Sequence, residues 1–343
     1  MNVTLRDVAQ LAGVDISTVS RTLGKHPRSQ SLRSETRARI FEAAQKLGYR
    51  CNTLAKAMQK GESSTVAVIT PVIENLPYGS SALRVLYGIL ASASERNYAL
   101  KLYFEEEIAS AINDIRSSQI KLVICLSATS SKREEVAIYC RQHGLKLVYV
   151  YETSHAEFPA IAADNFTVSK EVVCYMVAMG HRRIALVCGE YPAWHYMTEK
   201  YKGYIAGLQE SGIEPEFQLM ICQEDIREPV EKLLSRPQAT RPTAFFCIGD
   251  GYAMQVQRVA LQKGLCLPED VSTSGFGNTF AAEEASAKLC SVDERQELLG
   301  ASAFRYVVGE ELNFFRESDG TFRIPSKFVL RDSIACLKQS SKG

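Results

Sequence analysis

Hydrophobic positions along the chain follow two different patterns, and the change lies near residue 65. Before it, apolar residues recur three and four positions apart, as in the stretch 5–12, which is the spacing of an amphipathic helix. After it, short apolar runs such as 65–70 and 244–248 alternate with amphipathic stretches such as 82–93. The pattern predicts an α/β protein with a small all-helical head and a larger body in which parallel strands alternate with helices.

Residues 4–23 predict two short helices joined by a tight turn at Gly13. Thr4 and Asp7 have the spacing of a capping box, with a short acid in place of the usual Glu or Gln. The first helix should therefore begin near residue 5. Asp15 can cap the second helix, because a carboxylate at that position accepts hydrogen bonds from the first backbone N–H groups.

The second helix has a polar outer side. Val19 and Leu23 lie one turn apart and should face the core. The residues left on the outer side are Ile16, Ser17, Thr18 and Arg21. A small helix that presents short polar groups and one arginine suits insertion into a DNA major groove. The alternative is an ordinary helical hairpin whose polar side is merely solvated.

A third helix is predicted over 34–47, where apolar residues line one face and Gly48 ends the helix. Arg33, Arg37 and Arg39 could contact phosphate groups or form a solvated helix face, and the pattern leaves both open.

Beyond residue 64 the alternation predicts a doubly wound body. Strands are predicted at 65–70, 99–104, 122–126, 147–151, 184–188, 219–222, 244–248, 271–274 and 289–292. Helices are predicted at 82–93, 108–115, 136–143, 168–179, 198–211, 228–235, 252–263 and 294–308. The pattern restarts after a crossover near 159–164, which indicates two lobes. Open parallel sheets bind ligands beyond the carboxyl ends of their strands, so the cleft between the lobes is the expected ligand site.

Charge is distributed unevenly over the 343 residues. The net charge is only +1, but residues 1–60 hold eleven Lys and Arg against four Asp and Glu, which gives +7. The remaining residues hold 29 against 35, which gives −6. This asymmetry indicates a basic head that binds a polyanion and a nearly neutral body.

The remaining composition narrows the class of protein. The N-terminus has no signal-peptide pattern and no apolar run reaches the length of a membrane span, so we expect a cytoplasmic protein without a membrane partner. The ten cysteines are scattered without a C-x-x-C pair, which favours reduced thiols over a metal site or a disulfide framework. No nucleophile motif, P-loop or Rossmann glycine fingerprint is present, so we expect neither an enzyme nor a cofactor.

Several motifs resemble those of one family. Ala12-Gly13-Val14 followed by Thr18-Val19-Ser20-Arg21 is similar to the helix-turn-helix of the lactose-repressor/galactose-repressor (LacI/GalR) transcription regulators. Residues 47–58 resemble the family's link to a short hinge helix. Further landmarks are Asp164-Asn165, Gly180-His181-Arg182-Arg183, Gly203-Tyr204, Pro242-Thr243-Ala244, Leu267-Pro268-Glu269-Asp270-Val271-Ser272 and Gly275-Phe276. The resemblance covers about residues 3–332.

The resemblance implies a helix-turn-helix head over 1–50, a hinge helix and linker over 51–64, and a body over 65–333 like a periplasmic sugar-binding protein. The chain would cross between the lobes three times. One lobe would hold 65–162 with 291–321, and the other 163–290 with 322–333, followed by a tail over 334–343.

The resemblance also implies the residues that contact operator DNA. They are Thr4, Ile16, Ser17, Thr18, Ser20, Arg21 and Arg28 in the head, and Asn52, Leu54, Ala55 and Met58 in the hinge. The hinge departs from the family at two positions, because Cys51 replaces the usual proline and Met58 replaces the leucine that wedges between base pairs. Methionine is also an acceptable wedge, so the role should survive.

The ligand pocket departs further from the family. Lys200 stands where an arginine is usual. Gly249-Asp250 replaces the family's usual Asn-Asp, and Gly277-Asn278 replaces a pair of aspartates, so both usual carboxylates are missing there. The candidate effector-binding residues are Asn75, Tyr78, Asp164, Trp194, His195, Lys200, Asp250 and Asn278. Three of them have simpler explanations: Trp194 could close a lobe interface, Lys200 could be a solvated lysine, and Asp250 could be only a helix cap.

The expected function is a sequence-specific DNA-binding transcription regulator, most often a repressor. It would act as a homodimer on a pseudo-palindromic operator, under the control of a small effector that we expect to be a carbohydrate or a carbohydrate derivative. The alternative is a solute-binding or sensor protein of the periplasmic type without enzymatic activity, which the basic head argues against.

Overall fold

The computed structural model describes residues 3–23, 32–49, 64–71, 81–126, 130–151, 153, 155, 157–188, 195–223 and 225–337. The chain forms two compact units, residues 1–64 and residues 65–343. Of the expected hinge and linker, only Ser64 lies within the described residues. Among the described residues, no helix is long and apolar enough to cross a membrane.

The head contains three helices, α1 (Leu5–Ala12), α2 (Ile16–Leu23) and α3 (Ser34–Lys46), as the sequence predicted. Thr4 and Asp7 form the capping box at the start of α1, with the Thr4 hydroxyl accepting from the Asp7 backbone N–H. The turn between α1 and α2 requires Gly13, whose φ of 65° lies in the left-handed region.

The head has its own small core, in which the three helices meet. Val8, Val19 and Ile40 are completely buried there and lie on α1, α2 and α3 respectively. Leu23 and Tyr49 pack against this cluster. The helical spacing therefore identified these apolar core positions correctly.

The first sheet of the body has the strand order β11-β12-β5-β4-β3-β1-β2. Its strands are β1 (Thr65–Thr70), β2 (Ala99–Phe104), β3 (Leu122–Cys125), β4 (Lys146–Val150), β5 (Ala160–Ala163), β11 (Phe315–Arg316) and β12 (Phe322–Ile324). All neighbours pair in parallel except β11 with β12. The helices between and after these strands are α4 (Ser81–Glu95), α5 (Ile108–Ser117), α6 (Ser130–His143) and α12 (Gln296–Val307).

The second sheet has the order β13-β10-β9-β8-β6-β7. Its strands are β6 (Ile184–Val187), β7 (Met220–Ile221), β8 (Ala244–Cys247), β9 (Ser272–Phe276), β10 (Cys290–Asp293) and β13 (Lys327–Val329), and only β13 is antiparallel. Its helices are α7 (Asn165–Ala178), α8 (His195–Glu210), α9 (Arg227–Leu234), α10 (Asp250–Gln262) and α11 (Phe280–Glu284). Strands such as β6 and β8 are buried throughout, as expected for parallel strands covered on both faces.

The chain crosses between the two sheets three times, after β5, after β10 and after β12. Two of the expected lobe boundaries are wrong, because β10 at 290–293 belongs to the second sheet and β12 at 322–324 belongs to the first. The strands β5, β11, β12 and β13 and the helix α11 were not predicted. Each has only two to five residues, which is too short to show a hydrophobic period.

Helices α4 and α12 pack with their backbones in unusually close contact. A methyl group on Gly88 of α4 would collide with the carbonyl oxygen of Glu297, and a methyl group on Gly300 of α12 would collide with that of Val85. Glycine at both positions is therefore a condition of the packing, since a backbone oxygen cannot move aside as a flexible side chain can.

We predict that Gly300→Ala lowers the free energy of unfolding of the body by about 1–3 kcal/mol, because it overpacks this contact. The measurement is chemical denaturation of the variant beside the parent. Gly251→Ala is the matched control, since Gly251 lies in helix α10 with no atom near its added methyl group. An unchanged stability in Gly300→Ala would show that the two helices can separate without cost.

Candidate nucleic-acid interface and ligand cleft

Asp15 fixes the start of α2. Its carboxylate accepts hydrogen bonds from the backbone N–H of Thr18 at 2.9 Å, from the Thr18 hydroxyl at 2.6 Å and from the Ser17 hydroxyl. The Ser17 and Thr18 hydrogen bonds hold the pKa of Asp15 well below its usual range. The carboxylate therefore remains ionised at the N-terminus of the helix, where the helix dipole also favours negative charge.

The outer side of α2 presents the side chains that the sequence placed there, with one exception. Ile16 is 43% exposed, and Ser17, Ser20 and Arg21 are exposed as well. Arg21 extends back along the helix and donates to the Ser17 hydroxyl at 2.8 Å and to the Ser17 carbonyl at 3.1 Å. Hydroxyl groups and a guanidinium on one exposed helical face can hydrogen-bond to base edges or phosphates.

The exception is Thr18, for which the predicted outward position is wrong. Its side chain is only 9% exposed, because the hydroxyl turns back to Asp15 to complete the helix cap. Its carbonyl oxygen accepts from the Thr22 hydroxyl one turn later, at 2.8 Å. Thr18 therefore stabilises the start of α2 from its buried side and does not belong to the exposed face of the helix.

Of the other candidate DNA contacts, only Thr4 lies within the described residues. Thr4 is exposed at the start of α1, where its hydroxyl bonds to Asp7. The positions that lie outside the described residues are Arg28, Asn52, Leu54, Ala55 and Met58. Their proposed DNA contacts remain predictions.

In the body, Lys200 of α8 lies at the carboxyl edge of the second sheet. Its side chain is 3% exposed, so it is not the solvated lysine of the alternative explanation. The ammonium Nζ lies 3.0 Å from Glu294 Oε1, 3.4 Å from the Ile248 carbonyl oxygen and 4.3 Å from the centre of the Phe276 ring. A carboxylate, a carbonyl and an aromatic face thus surround one buried positive charge.

Glu294 was not identified from the sequence, although it is the partner of the buried lysine. It directly follows β10, so it belongs to the second crossover between the sheets. Its other carboxylate oxygen accepts from Gln296 Nε2 at 3.4 Å, and the same amide donates to the Gly277 carbonyl at 3.3 Å. A charged residue immediately after a buried strand was the only signal that could have indicated it.

Asp250 is buried, and its carboxylate is hydrogen-bonded within the second lobe. It is the first residue of α10, and its carboxylate accepts from the Thr279 backbone N–H at 2.7 Å, the Thr279 hydroxyl at 2.8 Å and the Ser291 hydroxyl at 2.6 Å. Burial raises the pKa of Asp250, while these hydrogen bonds oppose the rise. Asp250 also does not cap α10, since Gly249 is the capping residue and makes no side-chain bond.

Asn278 is also held by the protein. Its backbone has a φ of 46°, and its N–H donates to the Ser291 hydroxyl at 3.1 Å. Its side-chain oxygen accepts from Arg331 Nη2 at 2.8 Å. Asn278 therefore shares the Ser291 hydroxyl with Asp250, and both residues fix the loop after β9.

Asp164 lies in a groove of about 510 Å³ at the start of α7. Its carboxylate caps α7 by accepting from the Thr167 N–H at 3.0 Å. The groove is also lined by Glu199 and Arg323, whose side chains form an ion pair at 2.7 Å and are 14% and 13% exposed. Because Arg323 lies on β12 and Glu199 on α8, this pair joins the two lobes.

A second arginine joins the lobes on another side, and the sequence did not single it out. Arg84 of α4 donates from Nη1 to the carbonyl oxygen of Gly277 at 3.0 Å, in the loop after β9. Its guanidinium also lies 3.5 Å from Glu297 and 4.0 Å from Asp293. The position of the first lobe therefore depends directly on the loop that contains Asn278.

The remaining candidate effector residues are not placed. Asn75, Tyr78 and Trp194 lie outside the described residues, and His195 begins α8 with a side chain that is not described. Within the described ranges, no group of three or more potential metal-binding side chains is found.

Comparison with known proteins decides the family. Residues 4–52 match the bacterial regulatory proteins of the lacI family, and residues 173–334 match the periplasmic binding protein-like domain. Catabolite control protein A of Priestia megaterium is 29% identical over 347 residues, which cover 97% of this chain and 99% of that protein. This chain belongs to the LacI family. It is a DNA-binding transcription regulator with an effector-binding body, and the family does not consist of enzymes.

Solved structures show the same fold. The Lac repressor dimer bound to operator and the anti-inducer ONPF has a TM-score of 0.80 at 19% identity, covering 98% of this chain and 100% of that one. The transcriptional regulator CelR–cellobiose complex has a TM-score of 0.65 at 22% identity, covering 97% and 100%. The expected LacI-type architecture, a helix-turn-helix head and a two-sheet body, is confirmed.

We predict that Lys200→Met lowers the free energy of unfolding of this LacI-family body by about 3–5 kcal/mol, because Glu294 would be left as a buried charge without its cation. The double variant Lys200→Met with Glu294→Gln should be more stable than Lys200→Met alone, since it removes both charges. Denaturant unfolding of the three proteins gives the comparison.

The control for this prediction is Lys170→Met, which breaks the more exposed Lys170–Glu210 pair. That change should cost less than about 1 kcal/mol. Equal losses at Lys170 and Lys200 would contradict a special role for the buried pair.

Proposed function

We propose that this LacI-family regulator is a cytoplasmic repressor that binds a pseudo-palindromic operator as a homodimer. We further propose that an uncharged polar small molecule, most simply a carbohydrate, controls its binding. The observation that carries the first proposal is the exposed face of α2, held rigidly by the Asp15 cap. The observation that carries the second is the buried Lys200–Glu294 ion pair.

The head supports DNA binding in two separate ways. The excess of seven positive charges in residues 1–60 supplies attraction to phosphate groups of any sequence. The outer face of α2 supplies a short set of exposed groups, Ile16, Ser17, Ser20 and Arg21, with which base edges can be read. A head with only the charge would bind DNA without preference, and the second feature supports operator recognition.

A surface on the first lobe supports the homodimer. Tyr87 and Leu90 lie one turn apart on α4 and are 61% and 56% exposed, and Leu102 and Phe104 are exposed on the neighbouring edge strand β2. Four large apolar side chains on one helix and one edge strand favour coverage by another protein surface. The Lac repressor structure is a dimer, which favours a second copy of this chain as the partner.

The charges of the cleft favour an uncharged effector. Among the described residues near the cleft, Lys200 is paired with Glu294, Arg84 lies near Asp293 and Glu297, and Arg323 is paired with Glu199. An anionic ligand would have to displace one of these carboxylates. The hydroxyl groups of a sugar can donate to the carboxylates and accept from the cations without breaking the pairs. The CelR–cellobiose complex supports a carbohydrate.

The mechanism we propose is a change in the relative position of the lobes. Arg84 and Arg323 hold one arrangement through contacts with the second lobe. An effector that binds another arrangement more tightly shifts the population, and it can shift it only by its difference in affinity for the two. The coupling is reciprocal: the factor by which the effector changes operator affinity equals the factor by which operator binding changes effector affinity.

A solute-binding or sensor protein of the periplasmic type is the alternative function that the sequence suggested. The periplasmic binding protein-like match over 173–334 would suit it, but the lacI-family match over 4–52 would not. We therefore favour the regulator.

We predict that exchanging Ile16 and Ser17 for another pair of residues changes the preferred half-site, because these side chains open the recognition helix. Arg37→Ala is the matched control. It should weaken binding to all sequences alike and reduce the salt dependence, as expected for a phosphate contact. Selection of binding sites from random DNA gives both results. An unchanged consensus in the Ile16-Ser17 variant would remove these residues from sequence reading.

We predict that Leu90→Asp separates the dimer into monomers, because a carboxylate cannot be buried unpaired in an apolar interface. Analytical ultracentrifugation measures the result. Ile138→Asp is the control, since Ile138 is 42% exposed on α6 in a different part of the lobe. A monomeric Ile138→Asp variant together with a dimeric Leu90→Asp variant would place the interface elsewhere.

We predict that uncharged sugars raise the melting temperature of the protein and that the corresponding sugar phosphates do not. A ligand present at 100 times its Kd stabilises the folded state by about 2.7 kcal/mol. The measurement is a thermal-shift screen of sugars paired with their phosphates, followed by titration of each hit. Lys200→Ala should weaken the sugar that binds, while Lys170→Ala should not. Tighter binding of a phosphorylated member would contradict the argument from charge pairing.

A further inference from the structure

Two cysteines meet at the carboxyl edge of the second sheet. Cys188 directly follows β6 and Cys222 directly follows β7, two neighbouring parallel strands. The register pairs Leu186 with Met220 and Val187 with Ile221, so the next pair is Cys188 with Cys222. The two sulfur atoms lie 2.9 Å apart, and the Cys188 backbone N–H donates to the Ile221 carbonyl at 3.0 Å.

The two thiols have different environments. Cys188 is 1% exposed, and its Sγ also lies 3.5 Å from the Ile221 carbonyl oxygen, whereas Cys222 is exposed to solvent. Burial, together with the neighbouring sulfur, raises the pKa of Cys188, so this thiol remains protonated. An oxidant in solution can therefore reach the Cys222 thiol, and the Cys188 sulfur lies close enough to form a disulfide with it.

We propose that Cys188 and Cys222 are a redox-sensitive pair that peroxide converts into a disulfide. The Cys222 thiolate attacks one oxygen of the peroxide, the O–O bond breaks, and sulfenic acid and hydroxide form. The Cys188 sulfur then attacks the Cys222 sulfur, its proton passes to the departing hydroxide, and water leaves. In total, two thiols lose two electrons and two protons, and hydrogen peroxide is reduced to two molecules of water. A dithiol reductant reverses the step by thiol–disulfide exchange.

The geometry permits this bond with little movement. Strands in a sheet lie about 4.8 Å apart, within the range of Cα separations that disulfides span. Only the two side chains have to turn from a thiol–thiol contact into a covalent bond. The other exposed thiols among the described residues, Cys266 and Cys336, show no comparable sulfur contact.

The position of the pair connects it with the ligand cleft. The chain continues from Cys188 through residues 189–194 to α8, which contains Glu199 and Lys200. A disulfide to Cys222 ties the start of that connection to β7. We infer that oxidation changes the operator affinity through α8, and this second part rests on the proposed function.

The experiment treats the reduced, full-length protein with hydrogen peroxide and maps its disulfides by mass spectrometry without reduction. Trypsin places Cys188 in the peptide 184–200 and Cys222 in the peptide 203–227, and neither contains another cysteine. We expect the two peptides to be linked after oxidation and separate again after dithiothreitol. Cys222→Ser should abolish the linked peptide, and Cys266→Ser, the matched control at another exposed thiol, should retain it.

If Cys266 and Cys336 become oxidised while the 184–200 and 203–227 peptides remain separate, the pair is not redox-active and the proposal is overturned. Because this readout uses no DNA, it stands even if the reduced protein binds no operator, which would count against the proposed function alone. Because Cys222 is exposed, Cys222→Ser should fold like the parent, and the test needs no substitution at the buried Cys188.

Operator binding tests the second part. Oxidation should change the affinity of the parent and of Cys266→Ser by about five- to 150-fold, the usual range of allosteric coupling, and should leave Cys222→Ser unchanged. An equal response of the parent and Cys222→Ser would show that the disulfide does not act on DNA binding.

Discussion

The body depends on one short segment that is hydrogen-bonded to both sheets. Between residues 322 and 329 the chain forms β12, which pairs with β5 in the first sheet, and then β13, which pairs with β10 in the second. The three crossovers are thereby tied together by backbone hydrogen bonds. This segment is the third of the three crossovers that join the two sheets, and the cleft lies between the lobes that they connect.

Around this connection, charged side chains determine which arrangement of the lobes is stable. Arg84 and Arg323 reach from the first lobe to Gly277 and Glu199 of the second. Lys200 ties α8 to the second crossover through Glu294. A buried ion pair contributes little net stability, because desolvation offsets the attraction, but it is costly to break on one side. Such pairs favour one arrangement of the lobes, and a ligand that binds another arrangement more tightly can shift the population towards it.

The sequence predicted the regular elements better than the contacts. Apolar spacing predicted the helices of the head and most strands of the body, because burial of an element produces a recognisable pattern of apolar residues in the sequence. Short elements such as β5 and β12 carry no period and were missed. Thr18 was placed outward by helical spacing alone, although its hydroxyl completes the Asp15 cap. The partnership of Lys200 with Glu294 joins residues far apart in sequence, and no local pattern encodes such a pair.

The glycine contact between α4 and α12 has a consequence for motion. Backbones that touch at Gly88 and Gly300 interlock, so the two helices cannot slide past each other by small side-chain adjustments, which is how shear motions proceed. α12 begins just after the second crossover, and α4 carries Arg84 near its start. A rotation at the second crossover must therefore turn α4 and α12 together as one rigid unit. A small angular change at Glu294 then displaces the Arg84 guanidinium, which this unit carries.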